Sequence, residues 1–208
     1  MPGSPSAPPL ATAVLERYDA RVMQLILASS SPRRAELLIQ AGFSFQIDPA
    51  DVDETLMSGE LPDGYVARVA RDKARAVAPR HASGRVILAA DTTVVAAGEI
   101  LAKPTDAADA ARMLGLLSGT VHDVFTGVVV TTGGVESVEV VRTRVHFIDL
   151  TAADIDWYVG TGEASGKAGA YGIQGRAARF VDWIEGSWSN VVGLPIATVA
   201  RLLGPAGR

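Results

Sequence analysis

Three short stretches of this 208-residue chain carry side chains able to handle phosphate. The first is Ser29-Ser30-Ser31-Pro32-Arg33-Arg34, which follows the apolar run 24–28. A strand that feeds straight into a helix points free backbone N–H groups and the positive end of the helix dipole at one spot. Hydroxyls and two guanidinium groups at that spot make an anion site, with phosphate as its natural occupant. Plain capping by Ser31 with two solvated arginines is the simpler alternative. The second feature is Lys73. It shares a helical face with Val66, Val69, Ala70 and Val77, while Arg68, Arg71 and Arg75 fall elsewhere. An ammonium on an apolar stripe needs an anionic partner, a substrate phosphate or a carboxylate, unless it snorkels out at the stripe's edge. The third is Asp91, which the pattern VILAAD puts at the carboxyl end of an apolar strand, where ligands of α/β proteins gather. Thr92 and Thr93 follow it, and Lys103, fixed by Pro104, is aimed back toward that strand end. Asp48, Asp51, Asp53 and Glu54 form an acidic run read as a solvated loop, one member being a candidate to coordinate a divalent ion.

These residues need elements to hold them. The run 24–28 predicts a buried strand, and Pro32 opens a helix that runs through RRAELLIQA to Gly42. A second helix is expected over 63–78, ended by Pro79, and an inner strand over 86–95, turned by Ala97-Gly98. Thr105 is expected to cap a helix over 106–118. Two β-rich runs, 121–131 and 135–148, meet in a tight hairpin at Gly133-Gly134. Thr151 and Asp154 make a capping box for a helix to about 159. A strand pair over 178–192 and a final helix from Pro195 complete the pattern. Strands alternating with helices, plus a hairpin, indicate an α/β fold with a mixed twisted sheet flanked by helices. The first nine residues hold four prolines, so 1–22 reads as a flexible extension ahead of one domain over 23–208.

Composition narrows the chemistry. Zero cysteines exclude thiol nucleophiles, thiolate metal sites and disulfides together, and three histidines leave little for a His-rich centre. A net charge of −4 argues against a nucleic-acid polymer as partner, since such a surface needs excess Lys and Arg. Hydrophobic content of 48% excludes a disordered chain. There is no run of 18 apolar residues and no secretory leader pattern, so no membrane contact and a cytoplasmic setting are expected. The glycine-dense loop GTGEASGKAGAYGIQG (160–175) fits neither a dinucleotide fingerprint nor a P-loop: its glycines are misspaced, and Ala168 stands where Ser or Thr is needed. Carboxylates, lysines, arginines and hydroxyls remain.

With these residues assembled, the chain resembles the Maf family of nucleoside triphosphate pyrophosphatases, related in fold to the inosine triphosphate pyrophosphatases. The matching segments are LILASSSPRRAELL (25–38), VDE (52–54), RDKA (71–74), AADTTVV (89–95), LAKP (101–104), LSG (117–119) and AGAYGIQGRAARFVDWIEGSWSNVVGLP (168–195). The resemblance implies a cleft between two lobes, and hydrolysis between the α and β phosphates with Mg²⁺ or Mn²⁺. It implies Asp91 as proton acceptor for the attacking water, with Lys103 and Glu54 also in the catalytic set, Glu54 acting near metal or water. Ser29, Arg34 and Lys73, with Lys103, would hold the phosphates. The metal ligands stay open, because Asp91 could instead bind the ion. A homodimer is a family expectation. A branch acting on 7-methyl-GTP carries an aromatic where this chain has Arg33, Gln at Thr92 and Glu at Gln174. Gln174 offers one acceptor and one donor, which fits the N3–H and carbonyl edge of thymine or uracil. All three positions match the dTTP/UTP branch. Cytosine stays possible, because the Gln amide can flip. A different class of function also stands, a nucleotide-regulated interaction protein in septum formation and cell-division control.

Overall fold

The computed structural model describes residues 24–204 and builds them on one seven-stranded mixed sheet. The expected flexible extension over 1–22 lies outside the described residues. The axis of the sheet is β3 (Val86–Ala96). Beside its first residues runs β1 (Leu25–Leu27), parallel, with β2 (Phe45–Ile47) parallel beyond it. On its other edge β3 pairs antiparallel from Val86 to Val95 with β5 (Val121–Thr132). Next come β6 (Val135–Phe147) and β7 (Val181–Glu185), both antiparallel to their neighbours. The β5–β6 turn is made by Gly133 and Gly134 at φ 58° and 83°, the left-handed pair that a two-residue hairpin demands.

Ala97 and Gly98 also turn the chain, but into a further short strand, β4 (Glu99–Leu101), which folds back on Val94–Ala96. Since β5 holds one edge of β3 throughout, β1 and β4 must share the other edge. Between them Ala89–Thr93 have no strand partner on that side.

Apolar residues alternate along the strands and feed two faces. On one face Leu25, Leu27, Val86, Leu88 and Val128 pack with α1 (Pro32–Gln40), α3 (Ala107–Leu117), α4 (Ala152–Gly160), α5 (Trp188–Val192) and α6 (Ile196–Leu203). On the other, α2 (Pro62–Val77) lays Ala70, Ala74 and Val77 on Ile26, Ile87, Ala89 and Val129. Small residues let α2 approach closely, most of all at Gly127 of β5. A Cβ there would lie 2.6 Å from the Val66 carbonyl carbon and 2.9 Å from Ala67 N, both backbone atoms that cannot swing away. Gly127→Ala is therefore expected to push α2 off the sheet and destabilise the protein by about 1–3 kcal/mol. Chemical denaturation checks this, and an unchanged midpoint would contradict it.

Two expected elements differ. The 178–192 stretch is not a strand pair: β7 stops at Glu185, Gly186 takes φ 126°, and Trp188–Val192 is helical. Ser187 caps that helix by accepting from Asn190 N, and buried Asn190 donates to Val124 O and Thr143 Oγ1. The helix α3 is capped by Asp106, one residue beyond Thr105, because the Asp106 carboxylate accepts from Asp109 N at 2.8 Å. The Thr151–Asp154 capping box is present as read. No helix among the described residues is long and apolar enough to cross a membrane.

Candidate active site

The unpartnered stretch of β3 opens a cleft of about 360 Å³. Both flanking strands run into it. From β1 the chain continues through Ala28, whose N–H donates to Leu88 O, into Ser29 and α1. From β4 it continues through Leu101 toward Lys103. Asp91 lies inside β3, opposite Gly127, and not at the end of a strand as the pattern VILAAD suggested. The reason is that β3 runs on to Ala96 to pair with β4, so it is the parallel pairing with β1, not β3 itself, that stops at Leu88. The strand end at the site belongs to β1. Successive side chains of β3 point to opposite faces, so Asp91 faces α2 while Thr92 faces α1.

On the α2 side, Lys73 Nζ is 2.7 Å from Asp91 Oδ1 and 2.7 Å from Glu54 Oε1. Lys73 is 7% exposed, so its stripe position ends in a buried ion pair and not in snorkelling. Lys103 Nζ, on the cleft rim, donates to Glu54 Oε2 at 2.9 Å. Burial opposes ionisation of Glu54, but hydrogen bonds and charge from Lys73 and Lys103 outweigh it and hold its pKa down at about 2. Tyr65 on α2 fixes this loop by donating to Glu54 O at 2.9 Å. The other carboxylates of the acidic run serve elsewhere: Asp48 pairs with Arg80 and His81, Asp53 accepts from Thr55 N, and Asp51 is exposed.

On the α1 side, buried Arg34 donates through Nε to Gly193 O (2.8 Å) and through its terminal nitrogens to Ser29 Oγ (3.0 Å) and Thr92 Oγ1 (3.1 Å). Three of its five N–H donors are thereby used, and two remain for a ligand. Burial pulls its pKa down, with the Asp91 charge opposing. Ser31 occupies the N-cap position without a side-chain cap; instead Ser29 Oγ accepts from Ser31 N at 3.2 Å. The plain-capping alternative for Ser31 is thus not what forms. Thr92 shares a 2.9 Å hydrogen bond with Thr126, and so braces Arg34 from the sheet.

Arg33 and Gln174 also line the cleft, Arg33 half-buried with its pKa lowered by that burial, Gln174 exposed. The nine residues to which the resemblance gives a catalytic, phosphate-binding or specificity role all line one cleft, while Asp48, Asp51, Asp53 and Thr93 do not. Three others at the cleft were not foreseen. Gly193 supplies a carbonyl across 159 positions of sequence, for which no local signal exists. Tyr171 is buried on His122 at 2.9 Å. Lys167 does carry a local signal, the Gly166-Lys167 pair directly before the Ala168 that breaks the P-loop pattern.

Among the described residues no group of three or more His, Asp or Glu side chains converges on one point. Asp91 and Glu54 lie on either side of the Lys73 ammonium, which occupies the position between them. As carboxylates on the wall of the cleft they are the donor type a hard divalent cation such as Mg²⁺ or Mn²⁺ takes, one or two at a time, completing its shell with substrate phosphate oxygens and water.

Fold and site together define an α/β protein with a cleft lined by arginines, lysines and carboxylates. The chain belongs to the Maf family, whose model, described as Maf-like protein, matches residues 24–206. A relative from Anaeromyxobacter dehalogenans (strain 2CP-C) is 57% identical over 188 residues, covering 88% of this chain and 94% of its own length. One from Myxococcus xanthus is 51% identical over 183 residues, with 88% and 92% covered. Both are named dTTP/UTP pyrophosphatase. A solved nucleoside-triphosphatase / dITP/XTP pyrophosphatase from Mycobacterium abscessus aligns over 62% of this chain and 76% of its own at TM-score 0.38 and 17% identity, a likeness too slight to bear on function.

Proposed function

We propose that this chain hydrolyses dTTP and UTP, and modified forms of them, to the nucleoside monophosphate and pyrophosphate. The observation that carries the reading is the Asp91–Lys73–Glu54 cluster facing Arg34 and the start of α1 across one cleft. High identity to relatives named for this activity supports it. The triphosphate lies between two sets of donors: Ser29, Arg34 and the first N–H groups of α1 on one side, Lys73 and Lys103 on the other. Charges fixed in advance at these positions stabilise the extra negative charge that builds on the phosphates during reaction. Asp91 takes a proton from water as the water oxygen attacks the α phosphorus. The bond from that phosphorus to the bridging oxygen breaks, and pyrophosphate leaves. Glu54 holds Lys73 and Lys103 in place, and with Asp91 would supply the carboxylates for Mg²⁺ or Mn²⁺. When bound, that ion neutralises phosphate charge and makes the α phosphorus more electrophilic. Gln174 and Arg33 face the base, and Thr92 sets the position of Arg34 behind it. The same reading carries a cytoplasmic setting and a homodimer.

Pyrophosphate release by the purified protein tests this with UTP, dTTP, CTP, GTP and 7-methyl-GTP, with and without Mg²⁺ or Mn²⁺. UTP and dTTP are expected to turn over fastest, and chelation to stop them. Tight binding of the triphosphates without turnover of any would favour a regulatory nucleotide-binding protein and overturn the enzyme reading.

A further inference from the structure

We infer that Lys167 is a specificity-determining residue, its ammonium donating to the carbonyl oxygen at C4 of the base, where cytosine carries an amino group, and so selecting a dioxo pyrimidine over an amino one. This rests on the pyrimidine triphosphate reading above and adds a residue that the reading leaves unused.

Lys167 lines the cleft within the loop that also carries Gln174. Its stem lies against Gly172, where a Cβ would come within 2.8 Å of Lys167 Cε, so glycine at 172 leaves the lysine its path. Its Nζ donates to the backbone carbonyl of Glu163. The Glu163 carboxylate reaches on to the other side of Gln174, accepting from Arg176 N at 2.8 Å and from the Arg176 guanidinium at 3.2 Å. A Cβ on Gly175 would sit 3.0 Å from Glu163 Cδ, so the backbone passes tightly over that carboxylate. One residue, Glu163, therefore fixes both the Lys167 ammonium and the segment that presents Gln174.

The charge pattern separates Lys167 from the other lysines of the cleft. Lys73 and Lys103 are ion-paired to Asp91 and Glu54. Among the described residues Lys167 has no carboxylate within ion-pair distance, only the neutral Glu163 carbonyl. Burial lowers its pKa and the Arg33 charge lowers it further, against the Glu163 carboxylate, which raises it. An ammonium has three donors, of which the Glu163 carbonyl takes one, so two stay available to a ligand.

Uracil and thymine present carbonyl oxygens on both sides of N3–H, whereas cytosine replaces one of them with an amino group. Gln174 can turn its amide to suit either ring. A lysine cannot: it only donates, and facing an amino group it would lose its partner. Lys167 thus settles a choice that Gln174 leaves open.

The test compares full-length wild type, Lys167→Met, Lys167→Gln and Lys167→Arg by pyrophosphate release from UTP and CTP. Lys167→Met is expected to lower the UTP/CTP ratio of kcat/KM about tenfold, chiefly through loss on UTP, with Lys167→Arg recovering most of it. An equal fall on both nucleotides would assign Lys167 to the phosphates, and an unchanged ratio would remove it from recognition; either overturns the inference. If Lys167→Met lowers the thermal midpoint, Lys167→Gln gives the same comparison with a polar side chain. A wild type that turns over neither nucleotide sinks the reading of function instead. The inference is then decided by the UTP/CTP affinity ratio with and without Lys167→Met, where no change counts against it.

Discussion

Replacing Asp91 with Asn is expected to lower kcat by about 10³-fold while leaving the fold intact. Asn keeps the shape of the side chain and an oxygen that can accept from Lys73 Nζ, so the 2.7 Å contact and the packing of α2 survive. What it loses is the ability to take a proton from water. The β3 register opposite Gly127 gives the backbone no reason to shift. Single-turnover pyrophosphate release with UTP, alongside circular dichroism and a thermal melt, separates the two effects. Retained turnover in a folded Asp91→Asn protein would transfer the proton to another acceptor, with Glu54 the next carboxylate in reach.

Lys73→Met is expected to lower kcat/KM by about 10²–10³-fold and to destabilise the protein most at neutral pH. The buried ammonium is the shared counter-ion of Asp91 and Glu54, and its removal leaves two carboxylates facing each other. The pH dependence has a definite sign. In the wild type Glu54 is held at about 2, below its ordinary 4.5, so it contributes stability above pH 4.5 that is lost as pH falls toward 2. Without Lys73 most of that contribution is gone, and protonating a carboxylate relieves repulsion. The stability gap between wild type and Lys73→Met should therefore narrow as pH drops from 7 to 3. Denaturant titrations across that range check it, and a gap that stays constant or widens in acid would contradict it.

Local elements were more legible in the sequence than the way they meet. Local signals were strong where the chain itself does the work: Pro32 at the start of α1, the helical stripe bearing Lys73, the Gly133-Gly134 turn and the Thr151–Asp154 box all form as read. The pattern VILAAD reads Asp91 as the end of a strand, whereas β3 runs past it to Ala96. An apolar run broken by Asp-Thr-Thr looks the same whether the strand stops there or continues beside a gap. That gap depends on β1 being short and on β4 returning to the same edge, and β4 is a three-residue strand without a periodic pattern. The 178–192 stretch went wrong for a related reason. Its β-branched and aromatic residues favour strand locally, whereas Gly186, the Ser187 cap and the buried hydrogen bonds of Asn190 decide for a turn and a helix. The anchoring of Arg34 on Gly193 joins distant parts of the chain and could not be read from either part alone.

Water attack at the α phosphorus, with pyrophosphate as the leaving group, is the central claim, and oxygen labelling tests it most directly. UTP hydrolysed by the wild-type protein in ¹⁸O-enriched water should yield UMP carrying one labelled oxygen beside unlabelled pyrophosphate. Label in the pyrophosphate, or release of orthophosphate with UDP, would contradict it.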